Sequence, residues 1–501
     1  MRVDIGVNRL VILVQTICCY QYDFKDDQDA ITLNLSRRGI TSLHVNIKDC
    51  KSLVVLHLDG NKLETLPGAI GGLSNLRELD LTNNKLRSLP SKIGRLKNLK
   101  KLNLSRNELS SLPETIAGLA SLEALNLSYN CRFVIIREID ELENFDDPFY
   151  KYDEDRYRYF SEIYECKVIS LPSKMGNLKN LKELNLSMNE LTSLPKEVCD
   201  CLSLEKLDLS ENKIKNWPSK LRYLAELKEL SLKFNHLTDL PSNMSFPLSL
   251  RVLDLSYNKL SELPASIGNL NSLEELNLDT NEFSTLPSSM GTLRNLKILN
   301  ASFNRFEVFP AEITRLTTLE QLDFSYNFLG FLPSDISALT HLKILNLTRN
   351  SFSIFPHTVS AIVSLRALIL KDNRITFLPE VLSGLANLKA LDLSSNALSS
   401  IPGGIKRLVN LKFLFLDDNE LVSLPPEIGD CVSLIHLDLS SNSLQTLPGT
   451  VVKLINLKTL YLHNNVFGKV PGVVKLLNNL ESFSHDFGDH IDQIGLFDSD
   501  A

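Results

Sequence analysis

The sequence predicts an α/β repeat solenoid, a horseshoe with a concave parallel β-sheet and short helical or irregular convex segments. Three observations predict it. The phrase LxxLxLxxNxLxxLPxxIxxLxx recurs every 23 residues, as LRELDLTNNKLRSLPSKIGRLKN from Leu76 and LEELNLDTNEFSTLPSSMGTLRN from Leu273. It returns as LKALDLSSNALSSIPGGIKRLVN from Leu388. The LxL core of the phrase alternates as a strand does, and its recurring asparagine keeps a fixed interval. A fixed period of this length marks a solenoid.

The asparagine falls at Asn61, Asn84, Asn107 and Asn130. After one interruption it falls at Asn189, Asn212, Asn235, Asn258, Asn281, Asn304, Asn327, Asn350, Asn373, Asn396, Asn419, Asn442 and Asn465. These define 17 full repeats. A degenerate repeat precedes them, with Leu33, Leu35 and Ile40 in register and Arg38 at the asparagine position. A partial repeat begins near Leu480.

Each part of the phrase has a physical role. The strand leucines point inward, and one repeat cannot bury them alone, so neighbours share one continuous core. The asparagine amide can donate to and accept from backbone groups that would otherwise be buried unpaired. Pro67 and its equivalents fix φ where the chain runs without sheet pairing. The IxxLxx segment is expected to return along the convex side as a short helix. Ala301 replaces a strand leucine, with Phe306 and Phe309 close enough in sequence to fill the space. Trp217 stands at a leucine position and reads as core filling.

The pattern resembles the leucine-rich repeat superfamily over roughly residues 31–483. Its LPxxIxxLxxL form resembles the intracellular Ras-group, LP-type class: the plant intracellular Ras-group proteins and the Ras-pathway leucine-rich-repeat scaffold. That resemblance implies a cytoplasmic protein-binding scaffold in signal transduction. Its implied partners are a Ras-like small GTPase, a type-1 protein phosphatase, or both.

The organisation follows from the register. Residues 1–30 form an N-terminal cap or apolar leader, 31–483 the solenoid, 131–166 an insertion and 484–501 an acidic tail. The net charge of −7, with no basic patch, argues against nucleic acid. No apolar run is long enough to span a bilayer. Eight cysteines are spread without the paired spacing of disulfide-stapled caps, which favours a reduced, cytosolic chain. Residues 10–19 read LVILVQTICC and admit two readings, an apolar cover for the first leucines or a signal-peptide core. Asp4 in the leading segment and the lack of a small-x-small site favour the cover.

The insertion breaks the fourth repeat after Asn130. It contains Tyr150, Tyr152, Tyr157, Tyr159 and Tyr164, and its 11 acidic residues outnumber 5 basic ones. Two readings stand: an acidic spacer, or a binding loop with aromatic anchors.

No phosphate-binding loop, dinucleotide fingerprint, nucleophile elbow or HExxH zinc motif is present, and no nucleophile–base pair follows from spacing. The chain is therefore read as a non-enzyme without cofactor or metal. The tail residues His485, Asp486, Asp489 and His490 could ligate a metal, but a solvated tail is the expectation.

Binding is then expected on the strand positions that face outward. Their middle row is polar and mildly acidic, from Asp80 to Asp438, and suits a partner with basic residues. In the last repeats it is replaced by an aromatic patch of Phe413, Phe415, His436, Asp438, Tyr461 and His463. A second aromatic row, Phe234, Tyr257, Phe303 and Tyr326, lies just ahead of the asparagines. Two rival readings use the same face: a secreted or cell-surface recognition receptor, and a substrate-recognition adaptor for a ubiquitin ligase.

Overall fold

Stacked parallel strands, one per repeat, carry the architecture. The computed structural model describes residues 31–134, 163–166, 169–242 and 245–485. The expectations placed on residues 1–30, on the centre of the insertion and on Asp486, Asp489 and His490 lie outside the described residues.

The chain forms two compact units, Met1–Leu237 with Ser245–Leu250, and Thr238–Met244 with Arg251–Ala501. In the first, eight strands run from Ile31–Asn34 through Leu53–His57, Glu78–Asp80, Lys101–Asn103, Ala124–Asn126, Glu183–Asn185 and Lys206–Asp208 to Glu229–Ser231. Each is parallel to the next. In the second, eleven parallel strands run from Val252–Asp254 to Ser482–Ser484. The repeat length sets the register, so that Glu78, Leu79 and Asp80 lie beside Lys101, Leu102 and Asn103.

The insertion does not disturb this stacking. Ala124–Asn126 pairs directly with Glu183–Asn185. The inserted chain leaves and returns through its own antiparallel pair, Cys131–Val134 and Ile163–Cys166, with Cys131 opposite Cys166 along the backbone.

The convex segments are short helical turns of the 3₁₀ type, most of five residues and two, Met175–Asn177 and Ser383–Leu385, of three. In Ser91–Arg95, Pro90 (φ −67°) sits at the N-cap, the Ile93 N–H donates to the Pro90 carbonyl (2.9 Å), and the Leu96 N–H to the Ile93 carbonyl (3.1 Å). Only five residues separate the proline from the next core leucine, too few to repeat α-helical hydrogen bonds, so the tighter turn forms. At Gly94 an added Cβ would lie 2.0 Å from the Thr115 carbonyl of the next repeat, so glycine lets adjacent turns approach.

The core is a set of columns. Leu79, Leu81, Leu86 and Ile93 are each fully buried, as are their equivalents one repeat later. Six phenylalanines enter this core between Phe283 and Phe355. Phe324 meets Phe306 edge-on at 5.1 Å and Phe309 at 5.3 Å, beside the small Ala301 of the preceding strand. Trp217, 5% exposed, packs edge-on against Phe246 at 5.1 Å.

The residue before each asparagine adopts a left-handed backbone, as at Arg106 (φ 54°), Phe303 (φ 49°) and Ser441 (φ 53°). This turn out of the strand is conformationally costly for any side chain with a Cβ. It persists because the hydrogen bonds on either side fix the chain there.

The cysteines depart in part from the expectation of a reduced chain. Cys50, buried ahead of the second strand, is disulfide-bonded. Cys199, Cys201 and Cys431 are free and buried. Burial pushes their thiols up to about 11, 12 and 12 respectively, so they remain protonated and unreactive near neutrality.

Candidate protein-binding face

The asparagine column holds the strand exits in place. The Asn107 amide donates to the carbonyls of Leu81 in the preceding repeat (2.9 Å) and of Leu104 and Ser105 in its own (3.1 Å each). Its Oδ1 accepts the Leu86 N–H at 3.0 Å. Asn84, Asn212, Asn304 and Asn442 repeat the arrangement. The Arg38 N–H, at the degenerate position, donates to Asn61 Oδ1 (3.0 Å).

A second column of the same kind lies on the convex side, where the sequence pattern showed only LxNL. Asn98, Asn295, Asn410 and Asn456 each donate to a carbonyl 24 residues earlier, at 2.6–2.9 Å. Both columns knit neighbours together and leave little amide for a ligand.

The acidic middle row is also partly occupied. Asp323 Oδ1 accepts both the N–H (2.8 Å) and the hydroxyl (2.6 Å) of Ser325, two residues on. Asp80, Asp254, Asp392 and Asp438 do the same for their own strand ends. These are Asx turns, in which the side chain closes the end of the strand. The row is therefore less available to a partner than its composition suggests.

In the first unit the face is polar and self-compensating. A concave cavity of about 290 Å³ is lined by Asp80, Asn103, Asn185 and Asp208, with Glu78, Lys101, Glu183 and Lys206 alongside. Flanking charges alternate along their columns, as in Lys100–Glu123 (2.8 Å) and Lys206–Glu229 (2.6 Å). Exposed pairs of this kind contribute little stability. Near its start, His57, Asp59 and Asp80 bring potential metal-ligating atoms within 4.8 Å of one another. Their acids already accept hydrogen bonds from Ser36 and Thr82.

The last repeats of the second unit differ. Phe413, 40% exposed, lies in register with His436, and Phe415 with Asp438 and then Tyr461. The His436 ring leans across these rows, 4.7 Å from Phe415 and 5.5 Å from Tyr461, between centroids. Tyr461 is in turn 6.3 Å from His463, whose Nδ1 lies 2.7 Å from the Ser484 hydroxyl. His436 Nε2 is buried with no hydrogen-bond partner among the described residues. Burial holds the imidazole below its ordinary value, against the pull of Asp438 and Asp417, so the ring is neutral near pH 7.

Phe415 and Tyr461 stand where other repeats carry the Asx-turn acid or amide, so here aromatic rings replace the strand-end clasp. Asp417, two residues beyond Phe415, is half-buried, and burial first and Asp438 second push its carboxyl up, with Ser394 donating in opposition. On the opposite edge of the strands the flanking column reads Arg366, Lys389 and Lys412 without an intervening acid. The surface thus runs from basic through aromatic to acidic across a few strands.

The raised Asp417 has a testable sign. A carboxyl raised in the folded state disfavours its charged form there, so folding is unpenalised below the ordinary value of 3.8 and is penalised as pH rises through the folded value. Asp417→Asn is therefore expected to raise the denaturant midpoint at pH 7 and to leave it unchanged at a pH below that ordinary value. An equal gain at both would remove electrostatics as the cause.

The row ahead of the asparagines divides between the units. Phe234 lies in the first, with Lys233 Nζ 5.3 Å from its ring centroid. Tyr257 lies in the second and is one of the left-handed residues (φ 54°). Phe303 and Tyr326 stack at 3.8 Å with 14° between planes, Arg349 covers Tyr326 at 5.1 Å, and Asp372 pairs with Arg349. Phe303 and Tyr326 thus pack on each other at successive strand exits.

Comparison with known proteins places this geometry. The leucine rich repeat pattern matches residues 32–86, 74–131, 170–214, 317–375 and 363–421. A leucine-rich repeat region matches residues 242–328 and 394–492. No curated protein matches the chain. Among solved structures, it is similar to a leucine-rich-repeat protein of Leptospira interrogans (32% identity, 91% of this chain and 100% of that one, TM-score 0.68). It is also similar to the Arabidopsis receptor kinase HAESA, solved with the peptide hormone IDA and the co-receptor SERK1 (26%, 94% and 81%, TM-score 0.61). With InlJ of Listeria monocytogenes it shares the fold (19%, 86% and 73%, TM-score 0.50). The stacked parallel strands, the short convex turns and these matches together show that the chain belongs to the leucine-rich repeat family.

Proposed function

We propose that this chain is a non-enzymatic scaffold that binds another protein through the aromatic end of its second unit. The observation that carries the reading is the replacement of the strand-end Asx clasp by Phe415 and Tyr461, with the His436 ring between them and Phe413 beside His436. Partly exposed rings on a rigid sheet are the residues that anchor interfaces, because they lose little conformational freedom on binding. The basic column at Lys389 and Lys412 and the acids at Asp417 and Asp438 set the partner's polarity across the strands. A segment that lies across this face places acidic side chains at one edge and basic ones at the other.

The LP-type repeat resembles that of cytoplasmic Ras-group proteins, and on that ground the partner is a signalling protein. A Ras-like GTPase and a type-1 protein phosphatase are the two to test. Purified full-length chain, immobilised, is expected to retain one of them. Phe415→Ala and Tyr461→Ala should each weaken that binding by roughly tenfold or more while leaving the melting profile in place. Undiminished binding by both variants would remove this face from the function.

One observation favours the receptor reading. The HAESA receptor is similar over most of this chain. Sequencing the N-terminus of the chain purified from its own cells separates the two. Removal of residues 1–20 would place it in the secretory pathway, and retention would support the cytoplasmic scaffold.

A further inference from the structure

One column of side chains lies a single residue ahead of each strand, at the edge of the sheet. In the first unit its cations from Lys100 onward each meet an acid one strand away: Lys100 pairs with Glu123, and Lys182 and Lys228 share Glu205. In the second unit Arg251 and Lys297 share Glu274, and Lys343 pairs with Glu320. The alternation then stops. Arg366, Lys389 and Lys412 follow in three consecutive repeats, all exposed and with no ion-pair partner among the described residues. They are lateral neighbours, since the Lys389 N–H donates to the Arg366 carbonyl (2.7 Å) and the Lys412 N–H to the Lys389 carbonyl (2.8 Å). The acids on the strands beside them, Asp392 and Asp438, each hold Oδ1 against their own strand end. After Ile435 the pairing resumes, with Lys458 and Glu481 2.7 Å apart.

Three like charges about 5 Å apart repel one another unless an anion lies along them. The sequence that follows the last strand of the same unit, Ser482–Ser484, is anionic. Residues 486–501, outside the described residues, contain Asp486, Asp489, Asp492, Asp498 and Asp500 and no Lys or Arg. The column residue of that last strand is Glu481. From it the column leads back through Lys458 and Ile435 to Lys412, Lys389 and Arg366, about 14, 19 and 24 Å away. Returning from Ser484 to the level of Glu481 adds about 10 Å. Sixteen residues span about 50 Å when extended, so all three cations lie within reach. Exposed ion pairs are individually weak, but a tether of this length holds the anion at an effective concentration on the order of millimolar.

We propose that the acidic segment 486–501 seats on the basic column Arg366–Lys389–Lys412 of its own chain. Lys412 adjoins Phe413, so a partner that sets its acids on Lys389 and Lys412 has to displace this segment. That consequence alone rests on the function proposed above.

Zero-length carbodiimide coupling of the full-length chain tests the seat, because it joins an amine to a carboxylate only where the two touch. Coupled monomer is isolated, and its joined peptides are identified by mass spectrometry. The pairs Lys458–Glu481 and Lys343–Glu320, already in contact, are the internal control. At about 50 mM salt Lys389 and Lys412 are expected to couple to the aspartates of 486–501, and at about 0.5 M that yield is expected to fall at least about fivefold. Replacing those five aspartates by asparagine is expected to abolish it and leave the control pairs joined. Control pairs that couple while the aspartates do not overturn the proposal. Coupling spread evenly over other exposed lysines of the unit, such as Lys371 and Lys406, overturns it as well. Joins confined to a covalent dimer would assign the segment to a second copy and overturn the intrachain seat. None of these readouts needs a partner, so the seat can fail while the aromatic face stands.

Discussion

Asn189→Ala is expected to cost about 3–5 kcal/mol of stability. Asn189 is fully buried and spans the joint across the insertion. Its amide donates to Leu127, on the far side of the insertion, at 2.9 Å, and to Leu186 and Ser187 at 3.0 Å each. Its Oδ1 accepts the Asn130 N–H at 3.2 Å. Alanine cannot replace any of these, and leaves buried backbone donors and acceptors without partners at about 1–3 kcal/mol apiece, softened where a carbonyl retains another bond. Repeats contact only their neighbours, so the loss should be local. Hydrogen exchange should rise first at Leu127 and Tyr129, whose N–H groups donate to Asn185 and Ser187 across this joint. A change in protection spread evenly over both units would contradict the local account. The same substitution at exposed Asn98 on the convex ladder should cost about 1 kcal/mol, because water can reach its partner.

Phe324→Ala is expected to cost a similar amount, about 3–5 kcal/mol, by opening a cavity under Phe306 and Phe309. The informative comparison is with Ala301, its lateral neighbour in the core column. Ala301→Leu alone should overpack the site against the phenylalanine and cost about 1–3 kcal/mol. Ala301→Leu combined with Phe324→Leu rebuilds the uniform leucine column found elsewhere and should cost less than about 1.5 kcal/mol. Urea titration of the four proteins forms a double-mutant cycle. Strictly additive effects would show that the two side chains do not share one volume. A long repeat array need not unfold in one step, so the midpoint of the second unit's transition is the quantity to compare.

The stacking of strands was legible because a period of 23 leaves one register in which every leucine is buried. The short helical return was legible too, but its 3₁₀ type was not, since IxxL spacing suits an α and a 3₁₀ turn equally until the distance from Pro90 to Leu96 is set by packing. The acidic row illustrates a different limit. Asp323 and Asp438 point outward as alternation requires, yet each has turned an oxygen back onto its own strand end. A pattern of directions does not reveal which outward atoms are already engaged. The aromatic rings at Phe415 and Tyr461 were visible because they break a column. The contact that draws His436 toward them was not, since it crosses from one column to the next.

The register turns the chain into a grid. A step along a strand moves one residue, and a step to the next strand moves 23. Phe415, Asp438 and Tyr461 are neighbours on the surface and strangers in the sequence. No short synthetic fragment of this protein holds two laterally adjacent squares of the proposed binding face. Overlapping peptide arrays will therefore miss it, and antibodies raised against linear peptides will not compete with the partner. Binding must be mapped on the folded chain, one square at a time.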